Sequence, residues 1–260
     1  MGNLLKPFQR GFFCDDYSIL YPKTASTVPT PVVAVIGVAI PVLLIFWGEY
    51  AETKRNKNTT NIVHNIGKYK ITHYHWNLYR RLICCVSGGL FSFLITEVAK
   101  IEIGRLRPNF IDVCGIRWSD YCPNETYPYI GAEKFKCTNS DSDESRVSFP
   151  SGHASFSFYV AVFTVLYLEK RLKIESTILK PTIQFLVLLL AWFVALSRIM
   201  DNKHHWSDVL AGMVIGSGVA LINTILVHSM FEDEKPPIIV NPDVNGNRAS
   251  RVSNEIQDLL

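Results

Sequence analysis

Long stretches of this 260-residue sequence contain no charged side chain. Asp, Glu, Lys and Arg are absent from five runs, although the chain has 26 Lys and Arg and 23 Asp and Glu residues. A membrane-spanning helix needs roughly 17–25 mostly apolar residues, and four of the runs reach that length; the shortest reaches it on extension to Ala99. A soluble enzyme could bury one such helix but not five. The runs are 31–48, 82–96, 147–168, 181–197 and 209–231.

The composition also shows none of the biases that are typical of fibrous, disordered or disulfide-rich proteins. With 15 Gly, 13 Pro and 6 Cys residues, the chain is not collagen-like, a disordered coil or a small disulfide scaffold. We predict an all-α fold, a polytopic membrane bundle with an exterior segment at 1–30, a transmembrane domain at 31–231 and a flexible cytosolic tail at 232–260. The five predicted spans are about 31–48, 82–99, 153–169, 181–197 and 209–231.

Lys and Arg are distributed unevenly between the predicted loops. Segments 49–81 and 169–180 have an excess of basic over acidic residues, whereas segment 100–146 is balanced. Because short cytoplasmic loops are enriched in Lys and Arg, the first two are predicted to be cytoplasmic and the third exterior. We expect a multi-pass protein of the plasma membrane, with the endoplasmic reticulum and Golgi as alternatives.

The N-terminus has no recognisable signal peptide, because Met1–Cys14 contains no apolar run of 7–15 residues. With five spans and cytoplasmic loops at 49–81 and 169–180, the N-terminus would lie on the exterior side. Two explanations stay open: the first span acts as a reverse anchor, or a span that precedes it is missing from this form of the chain.

Cysteines and glycosylation sequons test this topology. The sequon at Asn124 is predicted to be exterior and glycosylated, whereas the sequon at Asn58 is predicted to be cytoplasmic and bare. Four cysteines fall on the predicted exterior side, where disulfides persist, and all three pairings stay open. These disulfide candidates are Cys14, Cys114, Cys122 and Cys137.

Two cations stand at the exterior end of the second span. Lys100 and Arg107 are seven residues apart, which puts them about two turns apart on nearly the same helix face, and Pro108 ends the helix. Such a pair can hold an anion, because the guanidinium fork fits phosphate oxygens. The alternative is a pair of interfacial cations that extend to the membrane surface.

A helix start precedes the third span. In Pro150–His153, Ser151 is a typical N-cap and Gly152 leaves the backbone accessible. Free N–H groups at a helix N-terminus also bind phosphate. His153 by itself would more often be a packing or capping residue.

A third polar group follows the fourth span. Arg198 offers another guanidinium fork. Asp208 follows His204 by four residues. Its carboxylate can accept a hydrogen bond from one nitrogen of the His204 imidazole, which leaves the other nitrogen as a nucleophile. Adjacent His204 and His205 also suggest a metal. Three Lys and Arg residues at the same edge disfavour a divalent cation, so we expect no metal and no cofactor.

The three groups together match a known pattern. The chain resembles the type 2 phosphatidic acid phosphatase superfamily, related to vanadium haloperoxidases, and within it the lipid phosphate phosphatases. The family pattern is Lys-x6-Arg-Pro, then Pro-Ser-Gly-His, then Ser-Arg-x5-His-x3-Asp, and every position is matched. The matching residues are Lys100, Arg107, Pro108, Pro150, Ser151, Gly152, His153, Ser197, Arg198, His204 and Asp208.

The resemblance implies a metal-independent phosphomonoesterase. In this family the equivalent of His204 forms a phosphohistidine, that of Asp208 orients it, and that of His153 protonates the leaving alcohol and then activates water. The phosphate would be held by Lys100, Arg107, Ser151, Gly152 and Arg198. The implied substrates are phosphatidate, lysophosphatidate, sphingosine-1-phosphate and ceramide-1-phosphate in the membrane, and no nucleic-acid partner is expected.

One departure from the family concerns the span count. The family has six spans, and the segment that follows its first span begins here at Arg10, so the first span is predicted to be absent. Alternative functions are a silent lipid-binding or scaffolding relative, a phosphatase of another phosphate or diphosphate ester, and a transporter or channel. The first would have lost site residues, and the last would carry charges near mid-span.

Overall fold

The computed structural model describes residues 6–55, 63–66, 68–122, 128–139, 142–172 and 177–226. The two sequons at Asn58 and Asn124 and the predicted tail at 232–260 lie outside these residues. Predictions about glycosylation and the tail therefore stay predictions.

Helices dominate the structure. Five are long: α1 (Thr30–Arg55), α2 (His73–Ile103), α5 (Gly152–Arg171), α6 (Leu179–Met200) and α7 (Trp206–Leu226). Two are short: α3 (Phe110–Cys114) and α4 (Trp118–Tyr121). The strands form two small antiparallel pairs, β1 (Phe12–Phe13) with β4 (Tyr129–Ile130) and β2 (Val63–Ile66) with β3 (Tyr69–Thr72).

Four of the long helices, α1, α2, α6 and α7, are long and apolar enough to cross a membrane. The predicted all-α polytopic membrane bundle is thereby confirmed. The remaining predicted span, 153–169, corresponds to α5, whose 20 residues include the polar Ser155, Ser157 and Thr164. Because α5 contacts all four of the other long helices, little of its surface faces lipid. It can therefore contain more polar residues than a lipid-exposed span. The count of five spans stays a prediction.

The contact of α5 with α7 is the closest in the bundle. Gly212 and Gly216 of α7 lie directly against the backbone of α5 near Ser155, and a Cβ atom at either position would collide with it. Small residues permit such approach between membrane helices. On its other sides, α5 buries Tyr159, Phe163 and Tyr167 in the central apolar core.

A compact cap covers the end of the bundle where α2 ends and α5 begins, called here the site end. Two disulfides, Cys14–Cys122 and Cys114–Cys137, select one of the three pairings left open by the sequence. Beneath them the rings of Phe12, Phe110 and Phe135 pack together. The disulfides tie the N-terminal segment and the α2–α5 connection into one rigid cover. Free Cys84 and Cys85 are buried in α2, as expected of packing residues.

The opposite end contains a buried charged group, called here the Glu49 cluster: Glu49, Arg81, Tyr167 and Arg171. The Glu49 carboxylate accepts two hydrogen bonds from Arg171, each 2.9 Å long, and lies 3.5 Å from Nε of Arg81. The Tyr167 hydroxyl donates to it at 3.3 Å. These residues join α1, α2 and α5.

Candidate active site

The end of α2 sets the position of the first cation. Gly104 adopts the left-handed conformation (φ 57°) that terminates the helix one turn after Lys100. A Cβ atom on Gly152 would lie 3.1 Å from Nζ of Lys100, so the absent side chain lets Lys100 reach the start of α5. Lys100 also forms an ion pair of 2.5 Å with Glu97, one turn earlier.

Arg107 lies beyond the end of α2, in an extended segment fixed by backbone hydrogen bonds. Its N–H donates to the Ser145 carbonyl (2.8 Å), and the Ser148 N–H donates to the Arg105 carbonyl (2.9 Å). The Arg107 guanidinium pairs with Glu144 at 2.8 Å. Lys100 and Arg107 are therefore not on one helix face, as the spacing predicted; the left-handed turn redirects the chain between them.

The start of α5 supplies the second group. Ser151 is the N-cap, and its fully buried hydroxyl accepts a hydrogen bond from the Ala154 N–H (3.4 Å). Gly152 and His153 occupy the first turn. The Nε2 atom of His153 is buried and has no hydrogen-bond partner among the described residues.

The turn between α6 and α7 supplies the third group. Arg198, in the last turn of α6, is nearly buried, and its carbonyl accepts from the N–H groups of Lys203 and His204. Asp201 pairs with the Arg198 guanidinium at 3.3 Å and also accepts from the hydroxyl of Thr27 at 2.6 Å. The N-terminal segment is thus attached to this turn and helps to fix Arg198.

These groups meet at one cavity of about 510 Å³, called here the phosphate cavity after the ligand that the motif resemblance implies. Of the predicted site residues, Lys100, Arg107, Gly152, His153, Arg198 and His204 line it. Ser151 and Asp208 do not; both are fully buried behind the wall. Cations that are far apart in the sequence therefore face the same cavity as His153 and His204.

His204 is held by the backbone. Its Nδ1–H donates to the Ser148 carbonyl at 2.6 Å, because a carbonyl can only accept, and this leaves Nε2 unprotonated in the neutral ring. Burial lowers the pKa of His204 well below its ordinary value, and nearby Arg107, Arg198 and Lys100 lower it further, while the Ser148 contact acts in the opposite direction. The ring is therefore neutral at physiological pH.

Asp208 differs from its expected arrangement. Its nearest carboxylate oxygen lies 4.0 Å from Nδ1 of His204, too far for a hydrogen bond. It accepts instead from Arg105 (2.5 Å), the Ser148 hydroxyl (2.6 Å) and the backbone N–H of His205 (3.0 Å). Since α7 begins at Trp206, His204 precedes the helix and does not share a helix face with Asp208. Asp208 reaches His204 only through Ser148.

Sequence reasoning did not assign three charged residues that line the cavity. Glu97 and Glu144 each pair with a cation, whereas Lys203 has no ion-pair partner within the described part of the chain. Burial and the neighbouring Arg107 lower the pKa of Lys203. Lys203 could have been found from the sequence, because it directly precedes His204. Nothing in the sequence connected Glu144 with Arg107.

A metal-ligand set is not found in the described ranges, where no three His, Cys, Asp or Glu residues converge. The donor set of the cavity is instead cationic, which suits an anion.

Comparison with known proteins identifies the family. Residues 81–232 match the PAP2 superfamily. The chain is 38% identical over 240 residues to a Drosophila melanogaster protein named "Putative phosphatidate phosphatase"; the match covers 87% of this chain and 63% of that protein, less than two thirds of its length. No solved structure matches the chain.

Two rat relatives are similar over most of the chain. Phospholipid phosphatase 1 of Rattus norvegicus is 36% identical over 229 residues, which is 87% of this chain and 78% of the relative. Phospholipid phosphatase 2 of the same species is 34% identical over 236 residues, 88% of this chain and 80% of the relative. The resemblance inferred from the three motifs is confirmed, and the chain belongs to the PAP2 superfamily, within its lipid phosphate phosphatase group.

Proposed function

We propose that this protein is a membrane phosphatase that hydrolyses lipid phosphate monoesters, without metal or cofactor, through a phosphohistidine on His204. One observation carries the proposal: a neutral histidine faces the same cavity as three cations from separate segments, Lys100, Arg107 and Arg198. Phosphoryl transfer needs such cations on the equatorial oxygens and an in-line nucleophile.

The cavity is lined by more cations than carboxylates, which favours a phosphate monoester. Four cations line it; Glu97 and Glu144 in the lining offset two of them, and Asp201, which lies outside the lining, pairs with Arg198. A phosphate monoester carries about −1.5 to −2 at pH 7. Lys203 is the cation with no carboxylate partner in the described structure, and we assign it to phosphate binding with the predicted residues.

His204 supplies the nucleophile. Because Nδ1 donates to Ser148, the lone pair of Nε2 is free to attack phosphorus and form the N–P bond as the ester P–O bond breaks. Asp208 is a positioning residue: it holds the Ser148 hydroxyl and Arg105, and Ser148 in turn holds the imidazole. The carbonyl stabilises positive charge that develops on the ring during attack.

His153 supplies the proton. Its Nε2, without a partner among the described residues, lies in the first turn of α5 at the cavity wall. A proton that His153 takes up when the phosphate anion binds beside it would pass from Nε2 to the leaving alcohol oxygen, and the ring would become neutral. The neutral His153 would then remove a proton from water as the water oxygen attacks phosphorus. That step breaks the N–P bond, regenerates His204 and releases inorganic phosphate. Ser151 would contribute by fixing the helix start, and Gly152 by its amide.

The proposed substrates are phosphatidate, lysophosphatidate, sphingosine-1-phosphate and ceramide-1-phosphate, approached from the exterior or lumenal leaflet. The relatives' names support the class of lipid phosphate. The plasma membrane is the proposed location, and the site end the exterior face. Vanadate, a phosphate mimic, is expected to inhibit.

Trapping the intermediate tests this mechanism. Purified protein in lipid nanodiscs is mixed with ³²P-labelled phosphatidate in excess EDTA, quenched at alkaline pH and digested for mass spectrometry. We expect acid-labile phosphate on the peptide that contains His204, and none in His204→Ala. Hydrolysis that requires an added divalent metal, or label on another side chain, would contradict the proposal.

A further inference from the structure

A second cavity lies beside the phosphate cavity, between α1, α5 and α6, and is called here the apolar cavity. Its volume is about 260 Å³, and apart from Thr27 and Ser157 its lining side chains are apolar. Helices α1 and α6 both pack on α5 but make few contacts with each other, and the cavity fills the space between them. Among its lining residues, Val160, Ala191 and Val194 are buried.

The mouth of the apolar cavity faces the lipid side of the bundle. Ile36, Leu190 and Phe193 line it, and each is also substantially exposed on the outer surface of the bundle. A polar ligand would lose its hydration here without gaining hydrogen bonds to the protein. A hydrocarbon chain has no such hydrogen bonds to water to lose. The chemistry of the walls therefore selects a hydrocarbon occupant.

Two side chains connect this cavity with the phosphate cavity. Val33 of α1 and Phe156 of α5 line both. The Phe156 ring lies against Gly37, where a Cβ atom would collide with it. The absence of a side chain at Gly37 thus lets Phe156 form a thin wall, and the two spaces meet around it.

The phosphate cavity has an apolar part of its own. Away from its cations it extends along α2 to Phe93 and along α1 to Ala34. From the proposed phosphate site, two apolar spaces therefore extend along the bundle, and Val33 and Phe156 line both of them.

We propose that the apolar cavity binds one hydrocarbon chain of a lipid phosphate that has two chains, while the other chain lies in the apolar part of the phosphate cavity. The inference rests on the proposed phosphatase function and adds a basis for substrate choice. A single-chain lipid phosphate needs only the phosphate cavity, so filling the apolar cavity should discriminate between the two kinds of substrate.

Substitution Ala191→Phe fills the apolar cavity from the buried face of α6. In nanodiscs, we expect kcat/KM for dioleoyl phosphatidate to fall about tenfold, the effect of roughly 1.4 kcal/mol of lost binding. The value for oleoyl lysophosphatidate should stay within about twofold of wild type. The matched control is Leu189→Phe, which puts the same ring on the exposed face of the same helix and should change neither value.

The outcomes separate this inference from the proposed function. A wild-type protein that hydrolyses neither lipid contradicts the proposed phosphatase activity. A wild-type protein that is active, with an Ala191→Phe variant whose ratio of the two kcat/KM values is unchanged, overturns the cavity assignment alone.

A measurement on the wild-type chain covers the case in which Ala191→Phe does not fold. A non-hydrolysable phosphonate analogue of phosphatidate, with a diazirine on one chain, is photolysed in nanodiscs and the labelled peptides are mapped. We expect label on residues 187–194 that excess vanadate suppresses. Equal labelling by a phosphatidylcholine with the same diazirine, insensitive to vanadate, would show ordinary membrane lipid in the cavity and overturn the inference.

Discussion

The phosphate cavity and the Glu49 cluster are two buried, arginine-rich regions at opposite ends of the same helices. In the Glu49 cluster, one fully buried carboxylate lies between Arg81 and Arg171 and closes the group on itself. In the phosphate cavity, cations from separate segments face open space. Burial of arginine therefore does not identify a binding site. A site also needs a cavity that its cations face, since cations outnumber carboxylates in both regions.

Removing the nucleophile should give the largest effect. His204→Ala is expected to lower hydrolysis of phosphatidate by about 10³-fold or more, because the proposed nucleophile is lost and His153 is needed for proton transfer. Thermal unfolding in detergent measures the separate structural cost of removing this buried ring and its hydrogen bond to Ser148. His75→Ala, an exposed histidine at the opposite end, is the control and should retain activity. Substantial activity in His204→Ala would remove the chemical distinction between the two regions.

Disrupting the Glu49 cluster should affect stability instead of catalysis. Glu49→Gln leaves two arginines buried without their carboxylate, and we expect the free energy of unfolding to fall by about 3–5 kcal/mol. The kcat of the folded fraction should stay as in wild type. Unfolding in mixed micelles and phosphatidate hydrolysis measure the two quantities.

The control for this change is Glu52→Gln, which breaks the partly exposed pair with Arg55 and should cost less than about 1 kcal/mol. A loss of kcat in folded Glu49→Gln protein would mean that the two ends are coupled through α5.

Lys203 tests whether positive charge without a carboxylate partner marks the binding site. Lys203→Met should lower kcat/KM by about tenfold or more through loss of one charge-assisted contact, and Lys203→Arg should restore most of it. Lys134→Met, an exposed lysine of the cap, should have no effect. A Lys203→Met variant with wild-type kcat/KM would show that this lysine does not contact the phosphate.

The smallest expected effect is a shift in the pH at which His204 becomes protonated. Burial and nearby cations lower the pKa of His204, so its free base persists at pH values where an ordinary histidine, with a pKa of about 6.5, becomes protonated. In His153→Ala protein, diethylpyrocarbonate should therefore modify His204 at a rate that starts to fall only below pH 6.5, measured by mass spectrometry. A midpoint at or above 6.5 would place His204 in an ordinary aqueous environment.

The motifs predicted the residue types of the site better than their contacts. Lys100, Arg107, Arg198 and both histidines line one cavity, as their shared membrane edge implied. The assumption of continuous helices was wrong in two places, because Gly104 turns the chain before Arg107 and α7 starts after His204. Arg107 and His204 are held instead by hydrogen bonds to the carbonyls of Ser145 and Ser148, which are distant in the sequence.

The sequence by itself determined the helical membrane class, the family and the residues that carry the proposed chemistry. Charge-free runs and a fixed motif order are local properties and need no knowledge of packing. Tertiary structure alone decided the disulfide pairing, the carbonyl that holds His204 and the cavity beside Phe156. Each of these depends on the relative placement of segments many residues apart. Such placement follows from how the helices pack around α5, and no spacing within a single segment specifies it.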